Sequence, residues 1–117
     1  MKITVLQAKL HRAVVTNSEL TYEGSIFIDK NLLEEAGILA YQKVEIYNIN
    51  NGERFSTYTI PVEEKGEVCI NGAAARLVQK GDRIIVCAYC EIKREEAKNW
   101  QPKVLLIQEK NNNFIIK

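Results

Sequence analysis

The sequence predicts a small, mainly β protein of one domain with short helices. Three observations carry this. Its 117 residues are enough for one core that buries about two thirds of the unfolded chain's surface. Eight segments alternate apolar with polar residues or run apolar, and each is rich in β-branched or aromatic side chains. Close turn signals separate these segments and leave little room for wide β-α-β crossovers, which favours a barrel or a sandwich.

From the amino terminus, KITVLQAKL (2–10) and HRAVVT (11–16) read as strands, and SIFID (25–29) follows them. Asp29 can cap a short helix, KNLLEEAG, in which Leu32, Leu33 and Ala36 share a face and Gly37 supplies the stop. Strands KVEIYNI (43–49) and RFSTYTI (54–60) flank a turn at Asn50-Asn51-Gly52. Further turns at Lys65-Gly66 and Lys80-Gly81-Asp82 introduce GEVCI (66–70) and DRIIVCAYCEI (82–92). A second short helix over REEAKNW ends before Pro102, and KVLLIQE (103–109) is the last expected strand. No repeat, linker or domain boundary stands out.

Composition excludes several classes. Sixteen Lys and Arg against fifteen Asp and Glu give a formal net charge of +1, so no global field recruits nucleic acid or an anionic membrane. The amino terminus carries charge within ten residues and lacks a signal peptide's apolar core, and no later run reaches membrane-spanning length. The expected location is the cytoplasm. Cys69, Cys87 and Cys90, an odd number in apolar surroundings, read as reduced thiols; strand alternation sends Cys87 and Cys90 to opposite faces, against a shared metal or disulfide. With His11 the only histidine, no His-based metal cluster can form within one chain, and no metal is expected.

Four places carry candidate chemistry. Gly24-Ser25 interrupts a strand-like stretch, TYEGSIFID, and reads either as a turn or as a site where a serine hydroxyl attacks the preceding carbonyl. Lys9 and His11 share one strand face. Arg54 and Tyr58 share another, with Thr57 opposite. Two cations and a phenol fit an anionic ligand; they equally fit solvated charges beside an amphipathic cap. In Asn71-Gly72-Ala73-Ala74-Ala75, small residues directly after a strand allow close main-chain approach to an anion, or simply a tight turn packed on the sheet.

In this order, KLHRA (9–13), YEGSI (22–26), NGERFSTYTI (51–60) and NGAAAR (71–76) resemble the pyruvoyl-dependent aspartate α-decarboxylases, and the likeness spans nearly the whole chain. The resemblance implies a double-psi β-barrel, assembled as a homotetramer with sites between protomers, that makes β-alanine from L-aspartate for pantothenate synthesis. It implies that the Ser25 hydroxyl attacks the Gly24 carbonyl while Thr57 holds that carbonyl. Elimination from the resulting ester and hydrolysis then leave residues 1–24, and 25–117 headed by a covalent pyruvoyl group, the one cofactor expected. It further implies that Tyr58 returns a proton to the substrate, that Lys9 and Arg54 hold its carboxylates, and that Thr57 and the backbone of Gly72, Ala73 and Ala74 bind it. His11, Tyr22, Asn71 and Ala75 support the site. Since Thr57 and Tyr58 alternate, both serve one centre only at a strand edge, a distortion or a subunit boundary. The competing classes are a non-enzymatic β-barrel that binds nucleic acid or protein, and another pyruvoyl decarboxylase; two cations favour a dicarboxylic substrate. The loop Val62 to Gly66 and the polar tail Lys110 to Asn113 look peculiar to this sequence.

Overall fold

The computed structural model describes residues 1–117. Nine strands and three short helical elements form it: β1 Lys2–Val14, β2 Asn17–Glu19, β3 Ser25–Asp29, α1 Lys30–Ala36, β4 Lys43–Asn48, β5 Arg54–Val62, β6 Val68–Asn71, a 3-10 helix Gly72–Leu77, β7 Arg83–Lys93, α2 Arg94–Ala97, β8 Lys103–Ile107 and β9 Phe114–Ile116. The mainly β reading holds. The strands join in the order β2-β6-β3-β5-β4-β7-β1-β8-β9. Three of these pairs are parallel, β1 with β8, β2 with β6 and β3 with β5.

The alternation seen in the sequence places the core. Ala8 and Leu10 of β1, Ile26 and Ile28 of β3, Val44 and Ile46 of β4, Ile84 and Val86 of β7, and Leu105 of β8 are all buried in one cluster. Their strand neighbours Lys9, His11, Glu45, Tyr47 and Ile85 stay partly exposed on the other face. The helix α1 closes one side of the core through Leu32, Leu33 and Ala36. Asp29 caps it by accepting from the Asn31 amide at 2.9 Å, and Gly37 ends it in the left-handed conformation, φ 74°. The other Asp29 carboxylate oxygen accepts from the Gly66 amide at 2.8 Å, so one buried side chain fixes both the helix start and the Lys65-Gly66 turn.

Strand pairing alone leaves two ends, β2 and β9, so the hydrogen-bonded ladder is not a closed ring. The chain itself links the two flanks. After β1 the Val15 amide donates to Asp82 O and the Thr16 amide to Val68 O, carrying the backbone from β7 across to β6. Asn111 reinforces this seam: it pairs with both backbone groups of Val14 and donates to Gly66 O at 2.8 Å. The polar tail that looked peculiar is therefore structural at Asn111, which is buried, and it leads into an unexpected last strand, β9.

Two further differences from the sequence reading have local causes. The two amino-terminal segments form one 13-residue strand, because register shifts at Leu6/Ala8 and His11/Ala13 let β1 bend while staying paired to β7; Arg12 takes φ 70° at the second. The second helix is one turn, Arg94–Ala97, with no side-chain cap, and the chain runs on to Trp100 in turns.

Candidate active site

Ser25 is the first residue of β3, where the ladder between β3 and β6 begins with Ser25 opposite Asn71. The Gly24-Ser25 break is thus the start of a strand: Gly24 is exposed in the preceding turn and Ser25 is buried. Asn71 donates from Nδ2 to Ser25 Oγ at 3.1 Å, and Cys69 Sγ donates to Asn71 Oδ1 at 3.3 Å. All three side chains are buried, so the serine hydroxyl sits in a fixed polar contact within apolar surroundings.

Gly72 packs against the backbone just before Ser25. It adopts φ +75°, and a Cβ built on it would lie 2.7 Å from Gly24 Cα, 2.8 Å from Gly24 N and 3.1 Å from Tyr22 O. Only glycine fits that position without displacing the Tyr22 to Gly24 backbone. Close main-chain approach at Asn71-Gly72 is therefore real, and its first partner is the chain's own Gly24. Beyond it, Ala73 is exposed, Ala74 half-buried and Ala75 buried in the 3-10 helix.

The neighbouring strand supplies the next groups. β3 and β5 run parallel with Ile26 beside Thr59. Extending that register back one residue sets Tyr58 level with Ser25, and two residues back sets Thr57 level with Gly24. Thr57 is half-buried and Tyr58 is 36% exposed, and neither hydroxyl has a hydrogen-bond partner within the chain. Tyr41 covers one side of Tyr58, their rings 6.3 Å apart, and Tyr22 lies 6.3 Å from Phe27.

Arg54 opens β5. Its guanidinium carbon stands 4.0 Å over the ring of Tyr47, its cross-strand partner. The Tyr47 hydroxyl in turn bonds Tyr89 at 3.0 Å. That bond, with burial, pushes the Tyr89 phenol above its usual range and keeps it neutral. Burial likewise pushes the Cys87 thiol up.

Lys9 and Arg54 both lie close enough to the Cys87 thiol to act on it, but Lys9 and His11 stand far along the sheet from Ser25. Arg54 pairs with Tyr47, Tyr47 with Ile85 and Ile85 with His11, so His11 and Arg54 share a row and a face but lie three strand spacings apart, about 14 Å along the sheet. Lys9 lies one row away, beside Cys87, and four strand spacings from β3, about 19 Å along the sheet. Neither Lys9 nor Arg54 has an acidic partner; the ion pair that does form, Lys30 with Glu63, is elsewhere. His11 Nδ1 is buried without a partner, and burial, then the nearby Lys9, Arg12 and Lys117 charges, hold its pKa below the usual value. A 350 Å³ cleft lined by Thr16, Asn17 and Glu64 to Glu67 includes none of these residues.

Two contacts escaped the sequence reading. Cys69 precedes Asn71 by two residues on β6, and the period of two that puts them on one face was available as a signal. Tyr47 could have been found from the hairpin register, which sets it opposite Arg54.

Comparison with known proteins supplies the lineage. The family model described as Aspartate decarboxylase matches residues 1–114. An aspartate 1-decarboxylase of Campylobacter jejuni is 53% identical over 111 residues, covering 95% of this chain and 88% of that protein. The Clostridium botulinum protein of that name is 54% identical over 113 residues, 96% of this chain and 89% of its own length. The one from Campylobacter fetus is 54% identical over 111 residues, 95% and 96% of the two lengths. With a buried serine at a glycine-preceded strand start and a match that runs through every element carrying these residues, the chain belongs to the aspartate decarboxylase family.

Proposed function

We propose that the protein cuts its own chain between Gly24 and Ser25 and then decarboxylates L-aspartate to β-alanine and carbon dioxide, a supply for pantothenate biosynthesis. The observation that carries the reading is the Gly24-Ser25 peptide itself, its hydroxyl bonded by Asn71 and its backbone pressed against Gly72. In the first step the Ser25 Oγ bond to the Gly24 carbonyl carbon forms, the Gly24 to Ser25 amide bond breaks, and the hydroxyl proton ends on the released amine. Thr57, level with Gly24, donates to the carbonyl oxygen as negative charge develops there. A glycine on the carbonyl side leaves the approach to that carbon open.

The residues at this place fit a pyruvoyl group formed from Ser25. The site is buried, and Asn71 supplies a donor. Such a group provides a ketone that takes up the substrate's amino group and accepts the electrons left as the α-carboxylate departs. The chain's own residues do the rest. Arg54, seated over the Tyr47 ring, presents a two-pronged fork to one carboxylate, and Lys9 presents a point charge to the other. Tyr58, level with residue 25, returns a proton to the substrate carbon. Backbone groups of Gly72, Ala73 and Ala74 line the substrate, Asn71 and Ala75 shape that turn, and His11 and Tyr22 flank the pocket.

Lys9 enters from a second copy. Its distance along the sheet from Ser25, and the exposed aromatic surface of Tyr22, Tyr41 and Tyr58 beside the cut, support a site completed between protomers of a homotetramer in the cytoplasm. The test is reduction with sodium borohydride in the presence of L-aspartate, followed by peptide mapping. The reading expects a covalent adduct on the fragment beginning at residue 25 alone, and little reaction with glutamate. An adduct on a lysine, or equal turnover of both amino acids, overturns it.

A further inference from the structure

We propose that Cys69 is a positioning residue for the self-cleavage: by donating to Asn71 Oδ1, its thiol locks the Asn71 amide with the NH2 toward Ser25, which leaves the serine proton free to depart. The inference rests on the cleavage proposed above and adds to it a residue outside the expected site.

Cys69 and Asn71 share a face of β6, opposite Phe27 and Ser25 of β3. The chain of contacts runs from Cys69 Sγ to Asn71 Oδ1 at 3.3 Å and from Asn71 Nδ2 to Ser25 Oγ at 3.1 Å. An asparagine amide has two ends of similar shape and opposite polarity, so its neighbours decide which end faces the serine. If the amide turned over, Oδ1 would accept the Ser25 hydroxyl proton and hold it, and the NH2 would face sulfur, a weak acceptor. The proton that must pass to the leaving amine would then be engaged elsewhere. In the observed arrangement Ser25 Oγ accepts, keeping its own proton unengaged and its position fixed. Cys69 is buried, and burial with the Glu67 and Glu19 carboxylates nearby pushes its thiol up to about 11, so it remains a neutral donor. Cys87 and Cys90 hold no such contact with the Gly24-Ser25 peptide.

The test compares Cys69→Ser, which keeps a donor, with Cys69→Ala and Cys69→Val, which do not; serine and alanine are close in size, and valine keeps the apolar volume. Each full-length protein is purified cold, and cleavage on warming is followed by intact mass under denaturing conditions, with thermal unfolding as the check on folding. Cleavage of Cys69→Ser is expected within about twofold of wild type, and that of Cys69→Ala and Cys69→Val about fivefold to tenfold slower, the loss of one hydrogen bond. If Cys69→Ala does not fold, the serine and valine variants decide the matter. Cleavage by the donorless variants as fast as by Cys69→Ser overturns the inference. So does an equal slowing of all three, which makes the residue's role one of packing. A wild-type chain that never cuts overturns the proposed function itself, and this inference with it.

Discussion

Gly72→Ala tests how closely the Asn71-Gly72 turn and the Gly24-Ser25 peptide depend on one another. The new methyl group would stand 2.7 Å from Gly24 Cα and 2.8 Å from Gly24 N, both backbone atoms, where ordinary contact begins at 3.4 Å. Something must give by about 0.7 Å, the difference between those two distances. The softest partner is the exposed turn Tyr22 to Gly24, so the displacement falls on Gly24, whose carbonyl is the one to be attacked. The φ of +75° adds a cost of about 1–2 kcal/mol for a residue with a Cβ. That strain alone lowers the melting temperature by roughly 4–10 °C in a chain of this size. A displacement approaching 1 Å at reacting atoms commonly costs about 10²-fold in rate. The control is built into the fold: Gly37 has φ +74° with nothing within 4 Å of its missing Cβ. Gly37→Ala therefore carries the strain without the clash. The assay is cleavage on warming, followed by mass, beside thermal melts of both variants. Gly37→Ala should lose the strain cost alone and Gly72→Ala somewhat more, and at a temperature where both are folded Gly72→Ala alone should cut about 10²-fold more slowly. Equal cleavage rates for the two variants would refute the reasoning.

Tyr58→Phe should separate maturation from turnover: the variant cuts normally but makes β-alanine about 10²- to 10⁴-fold more slowly per cut chain, the common cost of losing a general acid, and wild-type turnover would remove Tyr58 from that role. Arg54→Lys keeps the charge but loses the fork and the guanidinium contact with the Tyr47 ring, so the KM for aspartate should rise about tenfold while cleavage is unaffected. His11 sets a pH dependence. Its pKa is lowered in the folded state relative to 6.5, so between the two values the unfolded chain binds more protons and stability falls as pH drops below about 6.5. Urea midpoints between pH 7 and 5 should show this slope in wild type and a shallower one in His11→Gln.

The strands, the capped helix α1 and the turn positions were legible because period-two burial and the cap and stop of Asp29 and Gly37 are local signals. The unity of β1 was not, since its two halves are joined by register shifts that only the pairing with β7 defines. Nor was the role of Asn111, which lies in a polar run that composition reads as solvated but is buried by contacts with Val14 and Gly66, 97 and 45 residues away in sequence. At the site, Gly24, Ser25, Asn71 and Gly72 are visible as residue types in the chain, yet their mutual contact depends on the antiparallel register of β3 and β6. That Thr57 and Tyr58 approach the start of β3 follows only from the parallel register of β3 and β5, in which Ile26 pairs with Thr59, and no turn sequence announces that register. Lys9 shows the limit from the other side: pattern puts it on a partly exposed face, and topology sets that face four strands from the serine.

The most direct test is the intact mass of the purified protein under denaturing conditions, before and after prolonged warming, with Ser25→Ala alongside. The account predicts two fragments from wild type, residues 1–24 and 25–117, the larger lighter by one ammonia than a chain simply hydrolysed before Ser25, and one uncut chain from Ser25→Ala. A wild-type chain that stays whole after warming, or a larger fragment that still begins with serine, would contradict it.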